Sequence, residues 1–89
     1  MSEVDVERVA EVTGEDREDV IRKGLESYIS RELRQVSAHI SDLKNKYEVE
    51  TVEELESKME NGDIEEHPAW EDLIEWKNLK ERKNQLQEY

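Results

Sequence analysis

The chain has 89 residues, which is the length of a single small domain. Charged residues make up 43% of it, hydrophobic residues only 34%, and the net charge is −12. The lack of cysteine excludes disulfides and thiolate chemistry, and no apolar run approaches the ~18 residues that a membrane span needs. Because the N-terminus has no basic and apolar secretory signal, we expect a cytoplasmic protein with no membrane association.

The negative charge is concentrated in one segment. Residues 48–75 hold 12 acidic side chains and one basic one, a net of −11, whereas residues 1–47 have a net charge of −3 and residues 76–89 of +2. Such a concentration of charge steers association with basic partners, although it is also typical of a merely solubilising surface. Nucleic acid is a poor fit, because binding of the phosphate backbone needs Lys and Arg.

The first half of the chain predicts two helices. A short helix is expected within residues 1–14, with Ser2 as its N-cap and Gly14 as its stop. A long helix is expected over residues 16–47, with Asp16 as its N-cap. Gly24 lies inside it at a cost of ~1 kcal/mol relative to alanine, which favours close approach of another backbone, either from the first helix or from a second copy. The second half of the long helix carries a seam at alternating spacings of three and four, typical of a dimer contact: Leu33, Val36, Ile40 and Leu43.

The second half of the chain predicts two further helices. Thr51 and Glu54 form a capping box that opens a short helix over residues 51–60, and Gly62 follows its end. Pro68 suits the first turn of a last helix over residues 68–88, because its missing N–H has no partner there. That helix carries an apolar stripe, namely Trp70, Leu73, Trp76, Leu79 and Leu86.

These elements predict an all-α fold of three or four helices in one domain, residues 1–89. Both long helices are apolar on one side only, so each needs another element against it. The simplest arrangement packs the long helix 2 antiparallel to the C-terminal helix as a helical hairpin. A domain this small buries little surface, and we therefore expect a homodimer to complete the core.

The sequence gives little support for a catalytic site. His67 and Glu71 are spaced for a metal pair, but entry into the last helix is the simpler role for His67, and the other histidine, His39, adds no ligand motif. The three glycines are scattered, so no phosphate-binding loop can form. The sequence therefore predicts no enzyme activity, no cofactor and no metal.

The two tryptophans are the most informative residues. Their stripe is the one that the last helix must bury, which favours the core, but Trp is also enriched at interface hot spots. The sequence leaves both possibilities open. The hypothetical partner-binding set combines them with the nearby carboxylates: Trp70, Trp76, Glu65, Glu66, Glu71, Asp72 and Glu75.

Residues 6–33 resemble the helical pair of ribbon-helix-helix proteins. The long helix of that family follows a pattern that Asp16, Val20, Ile21, Arg22, Gly24, Leu25 and Tyr28 match here. The segments VEELESKMENG and WEDLIEWKNLKER are similar to the tails of small archaeal and bacterial antitoxin-like proteins. The resemblance implies a dimer and a tail that neutralises a basic partner such as a toxin.

The chain departs from that family at its N-terminus. Ribbon-helix-helix proteins read DNA with an N-terminal strand, whereas only the acidic MSEVD precedes the first helix here. We therefore expect an antitoxin-like protein–protein interaction module. The alternatives are a structural helical homo-oligomer and a degenerate ribbon-helix-helix DNA-binding regulator, for which four arginines would have to form one patch: Arg8, Arg17, Arg22 and Arg31.

Overall fold

A computed structural model describes residues 5–88, which contain four α-helices and no strand. The helices are α1 (Val6–Thr13), α2 (Arg17–Tyr47), α3 (Val52–Glu60) and α4 (Glu66–Gln87). The all-α prediction is confirmed. Non-helical backbone at His67 and a cis peptide bond between His67 and Pro68 interrupt the start of α4. None of the helices in residues 5–88 has the length and apolarity needed to cross a membrane.

Each of the first three helices ends at a residue in the left-handed region. Gly14 (φ +76°) follows α1 and Gly62 (φ +77°) follows α3, as the sequence predicted. Glu48 (φ +53°) follows α2, where its N–H donates to the Asn45 carbonyl and the next N–H, that of Val49, donates to the Lys44 carbonyl. These two bonds form a Schellman motif, which directs Val49 into the core, where it is 2% exposed.

The N-caps differ in detail from the sequence predictions. The N-cap of α1 is Asp5, whose carboxylate accepts from the N–H groups of Glu7 (3.0 Å) and Arg8 (3.3 Å). Ser2, the predicted N-cap, lies outside the described residues. A carboxylate at this end also complements the helix dipole. At α3 the Thr51 hydroxyl accepts from the Glu54 N–H at 3.1 Å, as predicted, but the Glu54 carboxylate accepts from the N–H of Glu50 instead of that of Thr51.

The described chain divides into two compact units, with the boundary between Arg31 and Glu32. Unit 2, from Glu32 onwards, contains a hydrophobic core built from the end of α2, α3 and α4. Its buried members are Leu43, Tyr47, Val49, Val52, Leu55, Ala69, Leu73 and Trp76. Burial of each large apolar side chain contributes roughly 1.5–3 kcal/mol, so this cluster is the main source of stability in unit 2.

Three side-chain pairs fix the direction of α4 relative to the end of α2. Arg82 donates to Glu32 at 2.7 Å, His39 lies 2.9 Å from Glu75, and Lys46 donates to Asp72 at 2.7 Å. Residue numbers rise along α2 as they fall along α4, so the two helices are antiparallel. This confirms the predicted helical hairpin.

Unit 1, which ends at Arg31, has a different character. None of its described residues is buried. Among residues 5–88, no heavy atom lies within 4 Å of the position that a Cβ of Gly24 would occupy, so this part of the chain does not make the predicted close approach of a backbone. The large apolar side chains of unit 1 are mostly exposed, namely Val9, Val12, Ile21, Leu25 and Tyr28.

Candidate functional site

The candidate site is an open groove of about 370 Å³ in unit 2, with residues of α3 and α4 along it. We call it the acidic groove, because three of the six residues that line it are carboxylates. The six residues are Glu56, Met59, Glu60, Glu66, Trp70 and Leu73.

Helical spacing explains why five of these six side chains meet. Glu56, Met59 and Glu60 stand at positions i, i+3 and i+4 of α3, and Trp70 and Leu73 are three residues apart in α4, spacings at which side chains are neighbours on a helix surface. Glu66 precedes the non-helical His67, so its place at the groove depends on that interruption of α4 and not on a helical spacing. Leu73 is 2% exposed and joins the groove to the core. The walls of the groove are therefore fixed by the same packing that stabilises unit 2.

The structure separates the two tryptophans. Trp76 is 3% exposed and belongs to the core, whereas Trp70 is 55% exposed and lines the acidic groove. The buried stripe of α4 consists of Ala69, Leu73 and Trp76. Successive residues of a helix differ by about 100° in direction, so Trp70 lies at the edge of the buried stripe, about 60° from Leu73 and about 120° from Trp76. The prediction that Trp76 contacts a partner is therefore corrected, because its ring offers almost no surface to another molecule.

Three of the predicted partner-binding carboxylates are engaged within the chain. Asp72 accepts from the Lys46 ammonium and from the Tyr47 hydroxyl. Glu75 pairs with His39, and Glu71 lies 3.5 Å from His67. Glu65 is exposed just before α4. Of the predicted set, the groove therefore contains Trp70 and Glu66.

The sequence did not identify the contribution of α3 to the groove. Glu56, Met59 and Glu60 line it, and Glu56 also lies 3.5 Å from Lys77. The spacing of these three residues would have placed them on one side of the helix. Which helix that side faces depends on the turn at residues 61–65, which no local pattern specifies.

The residues of the predicted dimer seam are partly covered by the chain itself. Val36 and Leu43 are 4% and 5% exposed, and Leu43 contributes to the core of unit 2. Leu33 and Ile40 are half-buried. A second copy would therefore find only these last two residues accessible, and a dimer through this seam stays a prediction.

The carboxyl of Asp72 accepts hydrogen bonds from two side chains of α2. The hydrogen bond from Lys46 and then that from Tyr47 lower the pKa of Asp72 below its usual value near 3.8. The same contacts raise the pKa of Lys46, and burial followed by the Asp72 hydrogen bond raises the pKa of Tyr47. This trio is structural, because it joins the end of α2 to α4 beside the core.

We expect Asp72 to stabilise the folded protein across neutral pH. Its folded-state pKa is lowered, so its contribution is complete above the unfolded-state pKa and is lost as the pH falls through the lower folded-state value. Urea unfolding of wild type and Asp72→Asn between pH 2 and pH 7 would measure this contribution to the free energy of unfolding. The range covers both the protonated and the ionised carboxyl group. The wild type should lose its advantage over the variant only on the acid side. An advantage that did not change with pH would contradict the ionic role of Asp72.

The acidic groove has the chemistry of a cation site. Glu60 and Glu66 make no ion pair with any residue between 5 and 88. In the same part of the chain, no three His, Asp or Glu side chains are grouped closely enough to hold a metal ion. The separated carboxylates and the exposed indole therefore suit an extended cationic side chain better than a single ion.

The comparisons with known proteins identify a family but no activity. The family described as "Uncharacterized protein MJ0235 family" matches residues 1–89. No curated protein and no solved structure matches the chain.

Proposed function

Because the chain belongs to this family over its full length, and the family description states no activity, we propose a function from the site itself. The protein is a non-enzymatic interaction module that binds a basic segment of a partner protein in the acidic groove. The observation that carries this proposal is Trp70, which is 55% exposed, against 45% for Ile74, the other exposed large apolar residue between Glu32 and Glu88, and which lies in a groove lined by three carboxylates.

The groove matches the two parts of a Lys or Arg side chain. The aliphatic stem can pack on Met59 and Trp70, while the charged head lies near Glu60 or Glu66. A cation over an indole contributes roughly 0.5–2 kcal/mol, depending on how far it is desolvated. The net charge of −11 over residues 48–75 adds attraction at longer range. The contacts in the groove, which determine affinity, and the long-range attraction, which speeds association, therefore both favour a basic partner.

The finer form of the proposal is an antitoxin-like role, in which the basic partner is a toxin. The similarity of the segments that begin at Val52 and Trp70 to antitoxin tails supports it, together with the concentrated acidity. The alternative role in DNA binding has less support, because two of its four arginines, Arg17 and Arg22, pair with the carboxylates of Glu7 and Asp19.

We also propose that two copies associate through the apolar side of unit 1. Ile21, Leu25 and Tyr28 are spaced by four and three residues, so they form one stripe on α2, and all three are exposed. The exposed Gly24 adjoins this stripe and leaves room for a partner backbone. A second copy brings the same stripe, so the contact can be isologous.

A basic peptide tests the acidic groove directly. We expect a fluorescently labelled Lys- and Arg-rich peptide to bind the wild type at low salt, where screening is weak. Trp70→Ala should weaken binding by about tenfold or more, since a hot-spot aromatic is removed, and Glu60→Gln/Glu66→Gln should weaken it similarly. Fluorescence anisotropy measures the dissociation constants, and circular dichroism checks that each variant is folded.

A charge-matched variant provides the control. Glu11→Gln/Glu81→Gln removes the same two charges from exposed positions outside the groove, and it should bind almost as well as the wild type. If this control loses as much affinity as Glu60→Gln/Glu66→Gln, and Trp70→Ala loses none, the peptide senses net charge alone. The proposal of a specific acidic groove would then be wrong.

A further inference from the structure

Unit 2 has a second groove of opposite charge. It has a volume of about 300 Å³, and Lys44 of α2 and Lys80 and Lys83 of α4 line it. Thr51 and Asn84 add a hydroxyl and an amide, and Glu50 is the one carboxylate. We call it the lysine groove. Its lining carries a net charge of +2, from three lysines and one glutamate, in a chain whose net charge is −12.

The three lysines have no ionic partner in the part of the chain that the structure describes. None of them is within ion-pair distance of a carboxylate between residues 5 and 88, whereas Lys46, Lys77 and Arg82 of the same unit are. The sequence contributes to this: no acidic residue stands three or four positions from Lys80 or Lys83, the spacings at which a helix forms ion pairs.

Three lysines line this groove beside a single carboxylate, Glu50, so their charge is only partly compensated in the free protein, and like charges repel. Lys44 and Lys83 are half-buried, so water screens their repulsion less completely than at an open surface. An anion that carries several charges would relieve this repulsion at all three positions together. A single carboxylate would not.

We propose that the lysine groove binds a small molecule that carries a di- or triphosphate group. Lysine is a common ligand for phosphate, and the hydroxyl of Thr51 and the amide of Asn84 can donate to further phosphate oxygens. The volume lies at the lower end of the range for small-molecule sites. A long nucleic acid is disfavoured, because its backbone would also meet the 12 carboxylates of residues 48–75. This proposal is independent of the acidic groove.

Calorimetric titration of the full chain with inorganic triphosphate tests the site. We expect saturable binding at an ionic strength of about 0.05 M, with affinity falling from triphosphate to diphosphate to monophosphate. Lys80→Gln/Lys83→Gln should weaken triphosphate binding by at least about tenfold, because two of the three cationic contacts are lost. Lys77→Gln, in the same helix but outside the lysine groove, should leave it within about twofold.

Parallel titrations identify the ligand more closely. A nucleoside triphosphate that binds more tightly than inorganic triphosphate would show that the groove also contacts the nucleoside, and equal affinities would assign it to the phosphates alone. The proposal is overturned if triphosphate does not bind, if Lys77→Gln loses as much affinity as Lys80→Gln/Lys83→Gln, or if a single-stranded oligonucleotide binds more tightly than triphosphate. It is equally overturned if Lys80→Gln/Lys83→Gln lowers the molecular mass in light scattering, because the groove would then contact an acidic segment of a second copy.

Discussion

Replacement of Trp76 by alanine is expected to lower the free energy of unfolding by about 3–5 kcal/mol, the cost of deleting a large buried aromatic side chain. Trp76 is 3% exposed and packs in one cluster with Leu43, Leu55 and Leu73, so its removal leaves a cavity among three helices. Small domains are stable by only about 5–15 kcal/mol. A large fraction of the variant should therefore be unfolded at moderate urea concentrations.

The same substitution at Trp70 is the matched control. Its side chain is 55% exposed, and we expect Trp70→Ala to cost less than about 1 kcal/mol, as at most surface positions. Urea unfolding followed by circular dichroism measures both variants on one scale. A loss at Trp70 as large as that at Trp76 would contradict the division of the two tryptophans between groove and core.

The sequence predicts the helices well because their start and stop signals are local. Gly14 and Gly62 adopt left-handed conformations that other residues disfavour, and Thr51 accepts from the N–H three residues on. Each of these features depends on a few neighbouring residues only. The end of α2 is less typical, since Glu48 takes the left-handed position that glycine usually occupies.

The spacing of the two tryptophans along α4 accounts for their division between core and groove. Trp70, Leu73 and Trp76 are each three residues apart, and each step of three falls about 60° short of a full turn. A stripe at that spacing rotates by about 120° from the first residue to the last. Ala69 is the residue that completes the buried side of α4, and its small side chain adds little to an apolar pattern.

The grooves themselves could not be predicted, because they depend on contacts between residues distant in the sequence. Lys46 and Asp72 lie 26 positions apart, and Glu32 and Arg82 lie 50 apart. The sequence indicated that residues 48–75 are acidic, but it did not indicate that Asp72 and Glu75 would pair with residues of α2. The carboxylates that remain without an ion pair among residues 5–88, such as Glu60 and Glu66, were identified only by the fold.

Substitution of Leu25 by glutamate is expected to convert a dimer into a monomer. Leu25 is 58% exposed at the centre of the stripe that we propose as the contact between copies, and a charge there would be desolvated in the dimer. A loss of roughly 3 kcal/mol in the free energy of dimerisation corresponds to a dissociation constant about 100-fold higher. Light scattering should give twice 10.6 kDa for the wild type and 10.6 kDa for the variant at the same concentration.

An exposed apolar residue of unit 2 provides the comparison. Ile74 is 45% exposed in α4, so Ile74→Glu introduces the same charge on a surface outside the proposed contact and should leave the mass unchanged. Should Ile74→Glu dissociate the dimer while Leu25→Glu does not, the contact lies in unit 2. A wild type that is monomeric up to about 100 µM, a concentration at which even weak specific contacts form, would remove the dimer from the proposal. The acidic groove would then have to act within a single chain, which its construction from α3 and α4 alone permits.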